Sequence, residues 1–177
     1  MPAFTVIDHT EIGSGGAASW TKSSIPSTYD HLMLNISARS TKATYVGNMK
    51  MQFNADSGTN YSQTRLNAST ATPNSSRGTS KTSIYWGLIL TGANVTANTF
   101  GSVNVWIPNY ANTSNYKQVM IDGTVENNST TNNLWTLQLC AALWQSTSAL
   151  NQITIADLDS TDFVQYSTFT LYGVTGA

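Results

Sequence analysis

Alternation of apolar and polar residues with a period of two runs through most of the chain, and it restricts the fold to β-sheets. Over residues 31–39, Leu32, Leu34, Ile36 and Ala38 fall on one face of an extended strand. His31, Asn35, Ser37 and Arg39 fall on the other. Met49, Met51 and Phe53 repeat the pattern over residues 49–54. Further strands are expected over residues 4–8, 18–22, 61–67, 82–91, 100–107, 117–125, 134–144, 152–156 and 163–174. Clusters of turn formers such as residues 56–60 and 127–133 separate them. No amphipathic helical stripe of useful length competes, and the abundant Thr, Val, Ile, Tyr and Trp suit a pleated surface. Strands of this number and spacing predict an all-β fold, an antiparallel two-sheet sandwich that is jelly-roll-like.

Residues 134–144 are the ambiguous stretch, because their residue preferences also suit a helix. The alternation of Trp135, Leu137, Leu139, Ala141 and Leu143 predicts instead a strand buried on this face and partly on the other. Residues 69–81 carry Pro73, Asn74, Ser75, Ser76, Arg77 and Gly78 and read as a long polar loop, mobile or in contact with a partner. No internal repeat is present. Residues 1–24 are expected to form a short arm of two strands joined by a glycine turn at 13–16, packed on or exchanged from the domain. Residues 25–177 form the sandwich.

Composition narrows the function. Thr (26), Ser (21) and Asn (17) supply much of the 177-residue chain, whereas charged residues are 10 %, well under the roughly 25 % of an ordinary soluble protein. The surface is therefore polar without being charged. Eight basic residues and a net charge of -1 cannot supply the clustered positive footprint that nucleic acid requires. No apolar run approaches the ~18 residues of a membrane-spanning helix, and the N-terminus lacks the pattern of a secretion signal. Membrane insertion is not expected, and synthesis in a cytoplasm is. Cys140 is the one cysteine, which excludes an intrachain disulfide or a thiol metal cluster. Its apolar neighbours predict a small buried hydrophobe.

Catalytic patterns are weak. His9 and His31 each follow an aspartate, but neighbours on a strand point to opposite faces, so Asp8 and Asp30 are badly placed to orient them. No Gly-x-Ser-x-Gly elbow occurs. Glu11 and Glu126 are the only glutamates, and nothing nominates a facing carboxylate pair for glycoside hydrolysis. Asp157, Asp159 and Asp162, and the Asn/Asp turn at 54–60, could offer oxygens to calcium. They read more economically as strand-connecting turns. The glycines at 13–16 lack the Lys-Ser/Thr of a phosphate loop. The chain is therefore expected to be no enzyme and to hold no metal or cofactor. The one candidate ligand loop is residues 109–116, where Asn109, Tyr110, Asn112 and Tyr116 combine aromatic rings with amides, as glycan- or partner-binding surfaces do. The plainer reading is a polar loop after a strand that Pro108 ends.

Several blocks resemble a known family. Ile25-Pro26-Ser27-Thr28-Tyr29-Asp30-His31-Leu32-Met33-Leu34, with Ala38-Arg39-Ser40, is similar to an opening that recurs in virion structural proteins of tailed bacteriophages, especially those of aquatic origin. The likeness continues in residues 53–62, Ala97-Asn98-Thr99-Phe100-Gly101, Ile107-Pro108-Asn109-Tyr110 and the closing stretch 163–174. It covers most of the chain and consists of turns, strand ends and core positions, so it transfers no functional residue. The resemblance implies a jelly-roll-like virion component. One such role is a capsid decoration or cement protein, usually a homotrimer, bound to the major capsid protein or other virion proteins on the head surface. The other is the tip of a tail or head fibre that recognises a host surface glycan. The brevity of the stretch before residue 25 favours decoration.

Overall fold

The structure is a computed structural model that describes residues 3–69, 73–127 and 136–176. Its strands are β1 (Ala3–Glu11), β2 (Ser19–Lys22), β3 (His31–Ala38), β4 (Val46–Phe53), β5 (Tyr61–Ala68), β6 (Asn74–Lys81), β7 (Ile89–Thr91), β8 (Gly101–Pro108), β9 (Lys117–Val125), β10 (Thr136–Trp144), β11 (Ile153–Asp157) and β12 (Thr168–Thr175). One sheet has the order β1-β12-β3-β8-β9-β10-β5-β6 and the other β2-β11-β4-β7; all named pairings are antiparallel.

Four of these pairings nest. β1 pairs with β12, β2 with β11, β3 with β8 and β4 with β7, while successive partners switch between the two sheets. That is a long hairpin wrapped across itself, the jelly roll. Two hairpins are inserted into it, β5–β6 between β4 and β7, and β9–β10 between β8 and β11. Both join the larger sheet beyond β8 and double its width.

The alternation that predicted the strands also predicts most of the core. Leu32, Leu34 and Ile36 on β3, Met49, Met51 and Phe53 on β4, and Val103, Val105 and Ile107 on β8 are all buried. Aromatic contacts tie the two layers together: Trp20 of β2 stacks on Phe169 of β12 with ring centroids 5.4 Å apart, and Phe163 meets Phe169 edge-on at 5.1 Å. Residues 3–24 supply β1 and β2, an edge strand of each sheet.

Three expectations are corrected. Residues 69–81 are not wholly a loop, because Asn74–Lys81 is the edge strand β6, registered on β5 from Asn67↔Asn74 to Tyr61↔Lys81. An edge strand with so few buried positions carries no hydrophobic alternation, and its polar residues keep the edge from pairing with other chains. Residues 82–91 hold only the short strand Ile89–Thr91; residues 82–88 are irregular, broken at Gly87 with φ +77°. The last strand starts at Thr168 rather than 163, because Phe163 leaves the ladder for isolated bridges to Ala17 and Ser40.

Buried titratable groups give the fold a pH dependence. Burial pushes the Cys140 thiol up to about 12 from 9.0 and the Tyr61 hydroxyl up to about 12 from 10.0. As pH rises, the unfolded chain releases these protons first, so stability that is complete below pH 9 is lost between about pH 9 and 12. Lys117, whose charged form burial disfavours, works in the opposite sense and offsets part of the loss. For Cys140 alone the linkage reaches on the order of 2–3 kcal/mol by pH 11. Urea unfolding at pH 8 and pH 11 is expected to show a smaller pH effect in Cys140→Ala than in the parent. Equal pH effects in the two proteins would remove this assignment.

Candidate functional site

The inserted hairpins have an inner face that is unusually polar. Gln63 and Asn67 of β5 and Thr136 and Gln138 of β10 are all buried. Their partners explain them. Residues 82–88 cross this face as irregular backbone: Ile84 bridges to Met51 of β4, while the amides of residues 85–87 take side-chain acceptors. Gln63 Oε1 accepts from the amides of Tyr85 and Trp86, each at 3.0 Å, and Gln138 Oε1 accepts from that of Gly87 at 3.0 Å. Thr136 Oγ1 donates to Asn67 Oδ1 at 2.9 Å. Beside them Arg65 lies over the Trp86 ring, its guanidinium carbon 5.0 Å from the centroid. Its buried Nε has no hydrogen-bond partner. Arg65 opens on a polar pocket of about 350 Å³ lined also by Asn48, Asn67, Thr136 and Gln138.

A strand with polar groups turned inward turns its other side chains outward. On β10, Thr136, Gln138, Cys140, Ala142 and Trp144 are buried, whereas Leu137 and Leu139 are 57 % and 51 % exposed. The expectation that the Leu137, Leu139 and Leu143 face is buried is therefore overturned: Leu143 is half-buried and the other two face solvent. Trp135 lies outside the described residues. Leu66 on β5 stands directly opposite Leu139 and is 55 % exposed. One register step would exchange the two faces, but it would also remove the glutamine carbonyls from the three amides.

The outward leucines belong to a larger feature. Across the large sheet, direct pairings place Val6, Tyr172, Met33, Trp106, Met120, Ala141 and Thr64 in one continuous transverse row. The adjacent row is His9, Thr170, Asn35, Asn104, Asp122, Leu139 and Leu66. In it His9 Nδ1 meets Thr170 Oγ1 at 2.8 Å, Asn35 donates to Asn104, and Asn104 Nδ2 donates to Asp122 Oδ2 at 2.9 Å. A shallow groove of about 270 Å³ runs between Met33, Trp106 and Met120 on one side and Asn104 and Asp122 on the other. Of the ten exposed large hydrophobic residues among those described, Phe4, Val6, Leu66, Met120, Leu137 and Leu139 share this face. The other four, Tyr45, Tyr116, Leu158 and Tyr166, lie in loops. Isolated apolar surface residues are ordinary, but a contiguous apolar patch marks an interaction site.

The structure separates the residues of the candidate ligand loop by burial. Tyr110 is wholly buried and its hydroxyl donates to the Pro26 carbonyl, so it offers no ring to a sugar. Asn112 Oδ1 accepts from the amides of Ser114 and Asn115 at 2.7 and 3.0 Å, an Asx-type turn. Asn109 adopts φ +51° and its amide donates to His31 Nδ1 at 3.2 Å. Beneath them Lys117 donates to the carbonyls of Asn112 and Asn115 at 2.7 and 2.8 Å. Of the four residues only Tyr116 exposes its ring, at 53 %.

The two histidines and the aspartates that precede them are held by other partners. Asp8 accepts from Thr10, Trp20 and Lys22, and Asp30 from the Gly176 amide, so neither orients the histidine beside it. Asp56 ties its turn together, accepting from Trp144 Nε1 at 2.7 Å, Asn60 Nδ2 and the Gly58 amide. The Trp144 bond does most to hold its carboxyl below the usual range. In the 157–162 turn Asp157 accepts from the Asp159 amide, and Asp159 pairs with Lys42. Among the described residues no three His, Cys, Asp or Glu side chains come together as a metal site would require.

No family model matches the chain, and no curated protein or solved structure does.

Proposed function

We propose that this chain is a non-enzymatic structural protein of a tailed-phage virion, a decoration or cement protein that self-associates and binds the head lattice. The observation that carries the reading is the outward face of the large sheet, where exposed apolar side chains gather and where β5 and β10 turn leucines outward and polar side chains inward. A protein that leaves leucines in water and puts glutamines under a sheet has its hydrophobic surface placed for contact with another protein. The low charge supports the same reading. A surface of Thr, Ser and Asn adds little like-charge repulsion when many copies crowd on one particle. Repeated contacts over a lattice then multiply modest affinities into lasting attachment.

A second reading is a receptor-binding fibre tip that recognises a host glycan. The Arg65 pocket favours it, because a guanidinium whose buried Nε has no hydrogen-bond partner, ringed by amides and a hydroxyl, suits a hydroxylated ligand bearing a carboxylate. One measurement separates the two: the copy number of this chain per purified particle, by quantitative mass spectrometry against the major capsid protein. The decoration reading expects a ratio near that of the capsid protein. A few copies per particle selects the fibre tip instead, and absence from the particle overturns both.

A further inference from the structure

We infer that the occupant of this apolar face is a second copy of the same chain, packed face to face about a two-fold axis. The inference rests on the proposed function in one respect, that the face is a docking surface, and it names the partner. Three observations select a second copy.

The first is self-complementarity. A two-fold contact places one patch on its own equivalent, whereas a ring of three copies needs a second patch of matching character elsewhere on the molecule. Among the described residues the remaining exposed large hydrophobics are the four dispersed in loops, so the outer face finds its apolar match only in itself.

The second is charge. Along the two central rows Asp122 is the only charged residue inside the edge strands, and Asn104 already donates to it. Arg77 lies at the β6 margin, opposite Thr64. Two like faces can therefore approach with little repulsion beyond that between the two Asp122 carboxylates, which a strongly charged surface could not do.

The third is size. A third outward row runs from Leu137 through Thr124, Ser102, Ser37 and Thr168 to Glu11 at the β1 margin. Eight strands about 4.8 Å apart, with three such rows about 6.8 Å apart, cover roughly 750 Å², close to the ~800 Å² per partner of a stable interface. The exposed Leu66, Met120, Leu137 and Leu139 sit together on β5, β9 and β10, so the centre of the contact lies on the inserted hairpins. Those hairpins, which the nested jelly roll does not require, thus become the dimerisation element.

The test is the mass of the purified full-length chain in solution, by analytical ultracentrifugation over a range of concentrations. The expected species is a dimer. Leu139→Lys and Leu66→Lys are each expected to weaken it on the order of a hundredfold. Leu158→Lys, in a loop away from the face, is expected to leave it unchanged. Both leucines are already exposed in the single chain, and near-UV circular dichroism checks that each variant keeps its packing. A parent that stays monomeric at its highest soluble concentration overturns the inference. So does a dimer or trimer that both variants leave intact. A monomer whose binding to capsids is lost in Leu139→Lys also overturns the self-pairing, while leaving the docking role of the face in place.

Discussion

Gly123→Ala is expected to be the most damaging single-methyl change in the molecule. A Cβ at this position would stand 2.1 Å from the carbonyl oxygen of Gly87 and 2.9 Å from the Ile89 side chain. The first is a backbone atom and cannot turn aside as a side chain can. Gly87 meets it from the other side of the contact: its φ of +77° suits glycine, and a Cβ there would be 2.8 Å from Ile121. The pair lets the crossing segment lie directly on β9, backbone against backbone. Separating them would lift residues 85–87 off the glutamines that hold them, so a loss of at least about 4 kcal/mol is expected, or failure to fold. Gly13→Ala, where nothing lies within 4 Å of the added Cβ, should stay within about 0.5 kcal/mol of the parent. Urea unfolding of both variants measures this. A stable Gly123→Ala would mean that residues 82–88 do not rest on the sheet.

Gln63→Leu should come next. The substitution removes the single acceptor of two part-buried amides, Tyr85 and Trp86. An amide left without a partner costs about 1–3 kcal/mol when fully buried, and these part-buried ones fall toward the lower end. Gln63 Nε2 is itself buried without a partner, and leucine relieves that penalty, so the net loss is expected near about 2–4 kcal/mol. Hydrogen exchange gives a sharper readout than stability: the amides of residues 85 and 86 should exchange faster, while those of β3 and β8 keep their protection relative to global unfolding. Gln118→Leu, on the exposed side of β9, should do neither. Unaltered exchange at 85 and 86 would show that the glutamine is not their acceptor. The comparison matters beyond stability, because this amide–glutamine arrangement is what keeps the polar face of β5 and β10 inward and the leucines outward.

Much of the fold was legible in the residues alone because a half-buried strand writes its burial into its sequence. β3 and β4 show this most plainly: each presents an alternating apolar set to the opposing sheet, and those sets are buried as read. The turn at 54–60 was equally readable, since Asp56 and Asn60 bond to each other there and Asp56 also accepts from Gly58. β6 was not legible, because an edge strand of Asn, Ser, Arg, Gly, Thr and Lys buries too little to leave a pattern. Tyr110 was misplaced for a related reason. Its neighbours are loop formers, and only the approach of Pro26, distant in sequence, puts its ring in the core.

The inner and outer faces of β5 and β10 mark the limit of such reading. Alternation located β10 along the chain, but it could not determine which of its two faces the protein would bury. On composition Leu137 and Leu139 outrank Thr136 and Gln138 as core residues. The tertiary structure reversed that order, because residues 82–88 cross the face and bring three amide hydrogens that require acceptors. The sequence by itself determined the fold class, the position of most strands and the low charge of the surface, since each depends on local pattern or simple counting. Only the tertiary structure decided the nested pairing, the burial of the glutamines and the exposure of the leucines. Those depend on which distant backbone groups meet, and a buried amide without a partner costs the fold more than a leucine left in water.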